Sequence, residues 1–235
     1  MLTADKLTVA YGNNTVLENL SAAFQPGMIH GLVGLNGAGK TTFLNTLFGI
    51  KHAISGQVTY EGQPLKRADI GFLETENFFY SYITGSEYLS LFEKNGKSFD
   101  VERYNNIFKL PLNQLVDDYS TGMKKKLALM AILRQDKPVI LLDEPFNSLD
   151  LETSRILYLL LLRLKERGKT LIITSHIIES LTKICDDIFV LNNRKIGRIY
   201  HKEEFASIEN DGSDINKCCY SKNRLPLRNN TRSHG

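Results

Sequence analysis

No stretch of this 235-residue chain stays apolar for long enough to cross a bilayer. The greasiest segment, Ile156 to Leu162, falls far short of the ~20 apolar residues that a spanning helix needs. Cysteine is scarce. Cys185, Cys218 and Cys219 form no metal-spaced set and adjacent cysteines rarely bridge one another, so ordinary reduced thiols in a reducing cytosol are expected. A strong charge of either sign is also missing, and a net +3 is too small to argue for nucleic acid. The first residues move straight from Met1 and Leu2 into a strand pattern, without the marks of a signal peptide. No internal repeat is present. What remains is an average globular composition, 42% apolar and 23% charged, in a chain long enough for one α/β domain with a sizeable core.

The pattern along the chain divides that length into parts. Leu7–Tyr11 alternates, Gly12 to Asn14 turns, and Thr15–Phe24 returns, which predicts antiparallel strands at the amino end. Pro26-Gly27 supplies the next turn, because proline presets φ and glycine accepts φ > 0. Met28–Val33 reads as a short apolar strand entering a glycine-rich loop, Thr41–Phe48 as a helix, and Gln57–Tyr60 as part of a further strand pair. From about Thr84 to Arg134 the pattern becomes helical. Thr84 and Glu87 form a capping box, Asp100 caps a helix predicted over Val101–Leu110 and ended by Pro111, and Ser120 precedes a third.

Strand and helix then alternate. Pro138–Leu142 is a continuous apolar run, as expected of a parallel strand covered on both faces. Helices over Leu151–Arg167 and Ile177–Ile184 flank a strand at Thr170–Thr174, and a hairpin turns at Asn192-Asn193. This argues for an α/β fold with a mainly parallel sheet, an N-terminal antiparallel β subdomain and an inserted helical subdomain at about 84–134. The folded domain is expected over 1–206. Residues 207–235 are polar, carry no acid from Lys217 onward, and read as a basic disordered tail.

Two motifs carry chemistry. Gly34-Leu-Asn36-Gly37-Ala38-Gly39-Lys40-Thr41 fits G-x-x-x-x-G-K-[ST] between a predicted strand and a predicted helix, with Thr42 following. Triphosphate needs many donors and no bulky side chains. Glycines let the backbone amides turn inward, and the helix adds its positive end. Lys40 is expected to reach the β and γ phosphates and Thr41 to bind Mg²⁺. The second motif, Val139 to Leu142 followed by Asp143 and Glu144, delivers two carboxylates to the C-terminal edge of a buried strand, where ligands bind in open α/β sheets. Asp143 is expected to hold Mg²⁺, and Glu144 to act as general base on the attacking water.

With both motifs in place the sequence resembles the ATP-binding cassette family of transporter subunits over about residues 1–205. The resemblance implies ATP and Mg²⁺ as cofactors. Tyr119-Ser120-Thr121-Gly122-Met123 looks like a variant of the family's signature loop, so Ser120 and the Gly122 amide would contact ATP held by another protomer. Asn147 to Asp150 resembles the loop joining two active sites, His176 the switch histidine at the γ phosphate, and Tyr11 the aromatic that stacks on adenine. Taken alone, Ser120 reads as a helix cap, His176 as structural and Tyr11 as a half-buried strand tyrosine. The chain departs from the family after Leu73, where a glutamine usually faces Mg²⁺: Glu74-Thr75-Glu76 stands there instead. Glu74 is the candidate metal ligand, since a carboxylate is the harder donor, with Thr75 and Glu76 left open.

The function implied is an ATP-hydrolysing motor subunit of an exporter, homodimeric or paired with a second ATP-binding subunit. A separately encoded membrane subunit and a place on the cytoplasmic face of the cell membrane are implied with it. The alternative is a soluble ATPase of the same family acting on ribosomes or nucleic acid, whose relatives usually carry two cassettes or a long coiled-coil insertion. A third reading, a regulator that hydrolyses poorly, sits badly with Lys40, Asp143, Glu144 and His176 together. Lys124-Lys125-Lys126 invites a nucleic-acid reading, but no basic and aromatic stripe accompanies it, and none is expected to bind.

Overall fold

A computed structural model describes residues 1–92 and 99–210 of the chain. The amino end forms a four-stranded antiparallel sheet in the order β2-β1-β4-β5, built from β1 (Leu2–Tyr11), β2 (Asn14–Phe24), β4 (Ser55–Tyr60) and β5 (Gln63–Pro64). Between its second and third strands the chain leaves to form β3 (Ile29–Val33) and helix α1 (Lys40–Phe48). The larger sheet has six strands in the order β10-β9-β3-β8-β7-β6, with β6 (Ile70–Leu73), β7 (Val139–Leu142), β8 (Thr170–Ser175), β9 (Asp187–Asn192) and β10 (Lys195–His201). All its pairings are parallel except that of β9 with β10, the hairpin at the edge.

The sheet is a wall between two cores. Every residue of β3, β7 and β8 is buried, as strands of a parallel sheet covered on both faces must be. Alternate side chains separate by face. Leu32, Leu141, Ile172 and Phe189 meet Leu7, Val9 and Leu17 of the small sheet together with Phe43 and Leu44 of α1. Val33, Ile140, Leu142, Ile173 and Ile188 point the other way. They pack against α4 (Thr121–Gln135), α5 (Leu151–Glu166) and α6 (Ile178–Thr182). Helix α1 and the strand ends beside it are thus held from both sides.

The helical insertion contains α2 (Gly85–Ser90), α3 (Val101–Phe108) and the start of α4. The Thr84–Glu87 capping box forms in both directions, with Glu87 N–H donating to Thr84 Oγ1 at 3.2 Å and Thr84 N–H to Glu87 Oε2 at 2.7 Å. Helix α3 ends two residues before the position predicted from Pro111. Lys109 takes φ 53°, and Asn105 clamps Leu110 through both its amide atoms, accepting from Leu110 N–H and donating to Leu110 O. At the carboxyl end the pattern expected to dissolve at 206 instead forms α7 (Phe205–Asn210), with Phe205 and Ile208 buried in the main core. The disordered tail expected beyond it lies, from residue 211, outside the described residues.

Candidate nucleotide site

The loop between β3 and α1 is built from residues without bulk. Gly39 caps α1 at φ 108°, a conformation that strains any side chain, and a Cβ there would lie 2.9 Å from Leu17. A Cβ on Gly34 would come within 2.6 Å of the Leu191 carbonyl. The loop therefore closes only as glycine, and it leaves Asn36, Gly37 and Ala38 leading into the helix start, with Lys40, Thr41 and Thr42 as its first residues. Lys40 is buried and arches back, its ammonium donating to the Gly34 carbonyl at 2.8 Å. That places a cation over the loop at the positive end of α1.

Asp143 is the hub beside it. It follows β7, is buried to 1% exposure, and three threonine hydroxyls converge on its carboxylate. Thr41 and Thr75 both donate to Oδ2 at 2.8 Å, and Thr174 donates to Oδ1 at 2.6 Å. These donors come from α1, the loop after β6, and β8, so three separate elements meet at one carboxylate. Thr174 Oγ1 also accepts from Glu144 N–H at 2.9 Å, which leads the chain from Asp143 into Glu144 at φ 48°. The Glu144 side chain then turns to His176, whose Nδ1 lies 3.1 Å from Oε1. Lys40, Thr41, Asp143, Glu144 and His176 therefore come together at one edge of the sheet.

Thr75, not Glu74, makes the hydrogen bond to Asp143. Glu74 lines the same cavity of about 400 Å³ with Thr41, Asn45, Thr75, Glu76 and Asp143. Burial pushes the Glu74 carboxyl above the usual carboxylate range, the Arg67 charge opposes this, and Asp143 adds to it. The hydroxyls of Thr41 and Thr75 with the Asp143 carboxylate are hard oxygen donors on an otherwise open cavity. They fit Mg²⁺, which takes few protein ligands and completes its shell with water and phosphate oxygen.

The remaining candidates form a second group. Ser120 caps α4 by accepting from Met123 N–H at 3.3 Å, and a Cβ on Gly122 would lie 3.7 Å from the Ser148 carbonyl. Asp150 caps α5 through Thr153, and Lys126 approaches it at 4.0 Å. Tyr11 stands apart at the end of β1, half exposed, with the Lys51 ammonium 4.2 Å from its ring centroid.

A sequence model described as ABC transporter matches residues 17–147, which contain the glycine loop, the signature variant and both acids. The chain belongs to the ABC transporter family. This ABC subunit is 30% identical to the ABC transporter ATP-binding protein YtrB of Bacillus subtilis over 222 residues, 89% of this chain and 76% of that one. It is 33% identical over 220 residues to the Nod factor export ATP-binding protein I of Burkholderia orbicola, covering 87% of this chain and 72% of that one. A dimeric ATP-binding cassette solved in a post-hydrolysis state with ADP and Pi shares the fold at TM-score 0.76 and 23% identity, over 86% of this chain and 99% of that one. The ABC subunit is accordingly an ATP-binding protein of the ATP-hydrolase class. Among its described residues no helix is long and apolar enough to cross a membrane.

Three contacts of the ABC subunit's site went unread in the sequence. Thr174 and Lys125 carried no signal, because a threonine in a β-strand and a lysine in a run of three look ordinary. Thr75 stood only as one of three alternatives.

Proposed function

We propose that this chain is the motor subunit of an ABC exporter, binding ATP with Mg²⁺, pairing with a second ATP-binding subunit and driving a separate membrane protein. The convergence of Thr41, Thr75 and Thr174 on Asp143, with Glu144 and His176 alongside, carries this reading. The backbone amides from Gly34 to Thr42 cradle the phosphates, and the Lys40 ammonium exchanges the Gly34 carbonyl for phosphate oxygen. Thr41, Asp143 and the loop at Glu74-Thr75 would hold Mg²⁺, which would supply positive charge beside the phosphate oxygens. Glu144 accepts the proton of the attacking water as the water oxygen bonds to the γ phosphorus and the bond to ADP breaks. His176 holds the Glu144 carboxylate in place and faces the γ phosphate. Ser120, Gly122 and Asp150 serve the nucleotide of the opposite subunit, and Tyr11 stacks on adenine.

The export assignment rests on the Nod factor export relative. A membrane partner is supported by the loop after Glu76, where Phe78, Tyr80 and Tyr82 are 71%, 56% and 86% exposed. Such a chain works at the cytoplasmic face of the membrane. The ribosome or nucleic-acid reading is disfavoured by the lysine run: Lys125 is buried, and Lys126 faces Asp150. A tagged Glu144→Gln chain, with ATP, is the bait for solubilised membranes. Recovery of one polytopic membrane protein in stoichiometric amount is expected. Recovery of ribosomes or DNA-bound proteins alone transfers the assignment to the soluble ATPase.

A further inference from the structure

Lys125 is a lysine out of place. It lies in the second turn of α4, five residues after Ser120, and is 6% exposed. Its ammonium donates to two carbonyl oxygens of the loop after β7, Glu144 at 2.8 Å and Asn147 at 2.9 Å. The same Glu144 carbonyl accepts from Asn147 N–H at 3.2 Å, so the lysine closes a tight turn from outside. Burial pushes the Lys125 ammonium down to about 8, and the charges of Glu144 and Asp143 oppose that shift. A buried ammonium costs more than an apolar side chain of the same length, so packing alone does not account for it.

The contacts around it run in one direction. Glu144 sits at φ 48°, where a non-glycine residue needs external support. Thr174 holds its N–H and Lys125 holds its C=O, so the peptide groups on either side of the Glu144 side chain are pinned by β8 and by α4. Two more contacts fasten the start of α4 to the same loop: Lys126 to Asp150, and the close approach of Gly122 to Ser148. A shift of the α4 amino end moves the Glu144 backbone with it.

We infer that Lys125 is a positioning residue, hanging the peptide of the hydrolytic Glu144 from the helix that begins at Ser120, so that docking of this helix on nucleotide held by a second copy aligns Glu144 within its own chain. The inference rests on the function proposed above. It adds a route by which occupancy of one composite site sets the base of the other. Glutamine or methionine keeps the helix and most of the packing, but neither can bridge both carbonyls with a cation. Arginine can.

The test compares wild type, Lys125→Met, Lys125→Gln and Lys125→Arg for steady-state ATP turnover, ATP affinity by calorimetry and melting temperature. Each variant is also combined with Glu144→Gln and sized with ATP. Expected are a kcat at least tenfold lower in the Met variant, ATP affinity within about twofold, undiminished ATP-dependent dimer in the Glu144→Gln background, and recovery of at least a third of the wild-type kcat in the Arg variant. A Met variant turning over at the wild-type rate overturns the inference. If the Met variant does not fold, Lys125→Leu, equally without a donor, carries the comparison and the same outcome overturns the inference. So does parallel loss of affinity, dimer and melting temperature without recovery by Arg, which makes Lys125 a structural residue only. A wild-type chain that hydrolyses no ATP defeats the ATPase function itself and is seen before any variant is compared.

Discussion

At the scale of single residues, the site divides by sequence distance. The placement of Lys40, Thr41, Asp143 and Glu144 was legible because it is encoded locally: a glycine loop before a helix, and two acids closing an apolar strand. The hydroxyls that organise Asp143 were not, because Thr75 and Thr174 reach it from 68 and 31 positions away and nothing in their neighbours marks them. Thr174 has the heavier task of the two, accepting from Glu144 N–H while donating to Asp143. Thr174→Val keeps the shape and the strand and removes the bridge, leaving the partly buried Glu144 N–H without its acceptor. Destabilisation of about 1–3 kcal/mol is expected from that loss, read in urea. On the proposed mechanism a fall in kcat larger than any loss of ATP affinity should accompany it, because the misplaced group would be the base and not the phosphate cradle. A Val variant with wild-type stability and turnover shows that water replaces the hydroxyl at no cost.

At the scale of elements, strand and helix positions followed the hydrophobic period, and the misjudged ends have side-chain causes. Asn105 ends α3 early by binding Leu110, a contact whose two partners are visible in sequence but whose left-handed Lys109 is not. Phe205 and Ile208 extend the fold into α7 because two apolar residues find the core, although their polar neighbours hide them. The Thr84–Glu87 box was read correctly, since both partners lie within one turn. Thr84→Ala should loosen α2 by on the order of 1 kcal/mol. Hydrogen exchange should show that as roughly fivefold faster amides in α2, with β3, β7 and β8 unchanged. Uniform acceleration would mean that the insertion and the sheet open together.

Strand starts carry a titration as well. His30 in β3 is fully buried between Phe24 and Phe189, with Nε2 on the Gln25 carbonyl and Nδ1 3.3 Å from Asp187. Burial lowers its tendency to protonate, against the Gln25 bond and the charges of Asp187 and Asp186. A depressed histidine is neutral when folded, so its stabilising effect is complete above about pH 6.5 and is lost as the unfolded chain takes up a proton below it. His201 runs the other way: hydrogen bonding to Asp187 raises it, but its ring is largely exposed and the effect is screened. Wild type should therefore lose more stability than His30→Phe between pH 7.5 and 5.5, measured by urea midpoints. Equal losses would assign the acid sensitivity to other groups.

At the scale of the whole molecule, the order of six strands is not written in any local pattern, yet it decides the chemistry. β3 and β7 lie on either side of β8, so the lysine loop and the acids meet beneath Thr174. On the function proposed above, Ser120 and Gly122 serve nucleotide held by another chain. Ser120 has an exposed hydroxyl engaged with its own helix cap, and the contacts that tie α4 inward run through Lys125 and Lys126 instead. On the proposed arrangement the missing partner is a second subunit's ATP, and two chains form two sites in one step. Glu144→Gln should then bind ATP, fail to turn it over and stay paired, because the base is removed while the γ-phosphate contacts persist. Light scattering should give a doubled mass with ATP and a single mass with ADP. Adding Ser120→Glu, which sets a carboxylate against phosphate, should abolish the doubled mass while calorimetry still finds ATP on the single chain. A mass unchanged by ATP at concentrations that saturate binding would remove Ser120 and Gly122 from the nucleotide site and make each chain act alone.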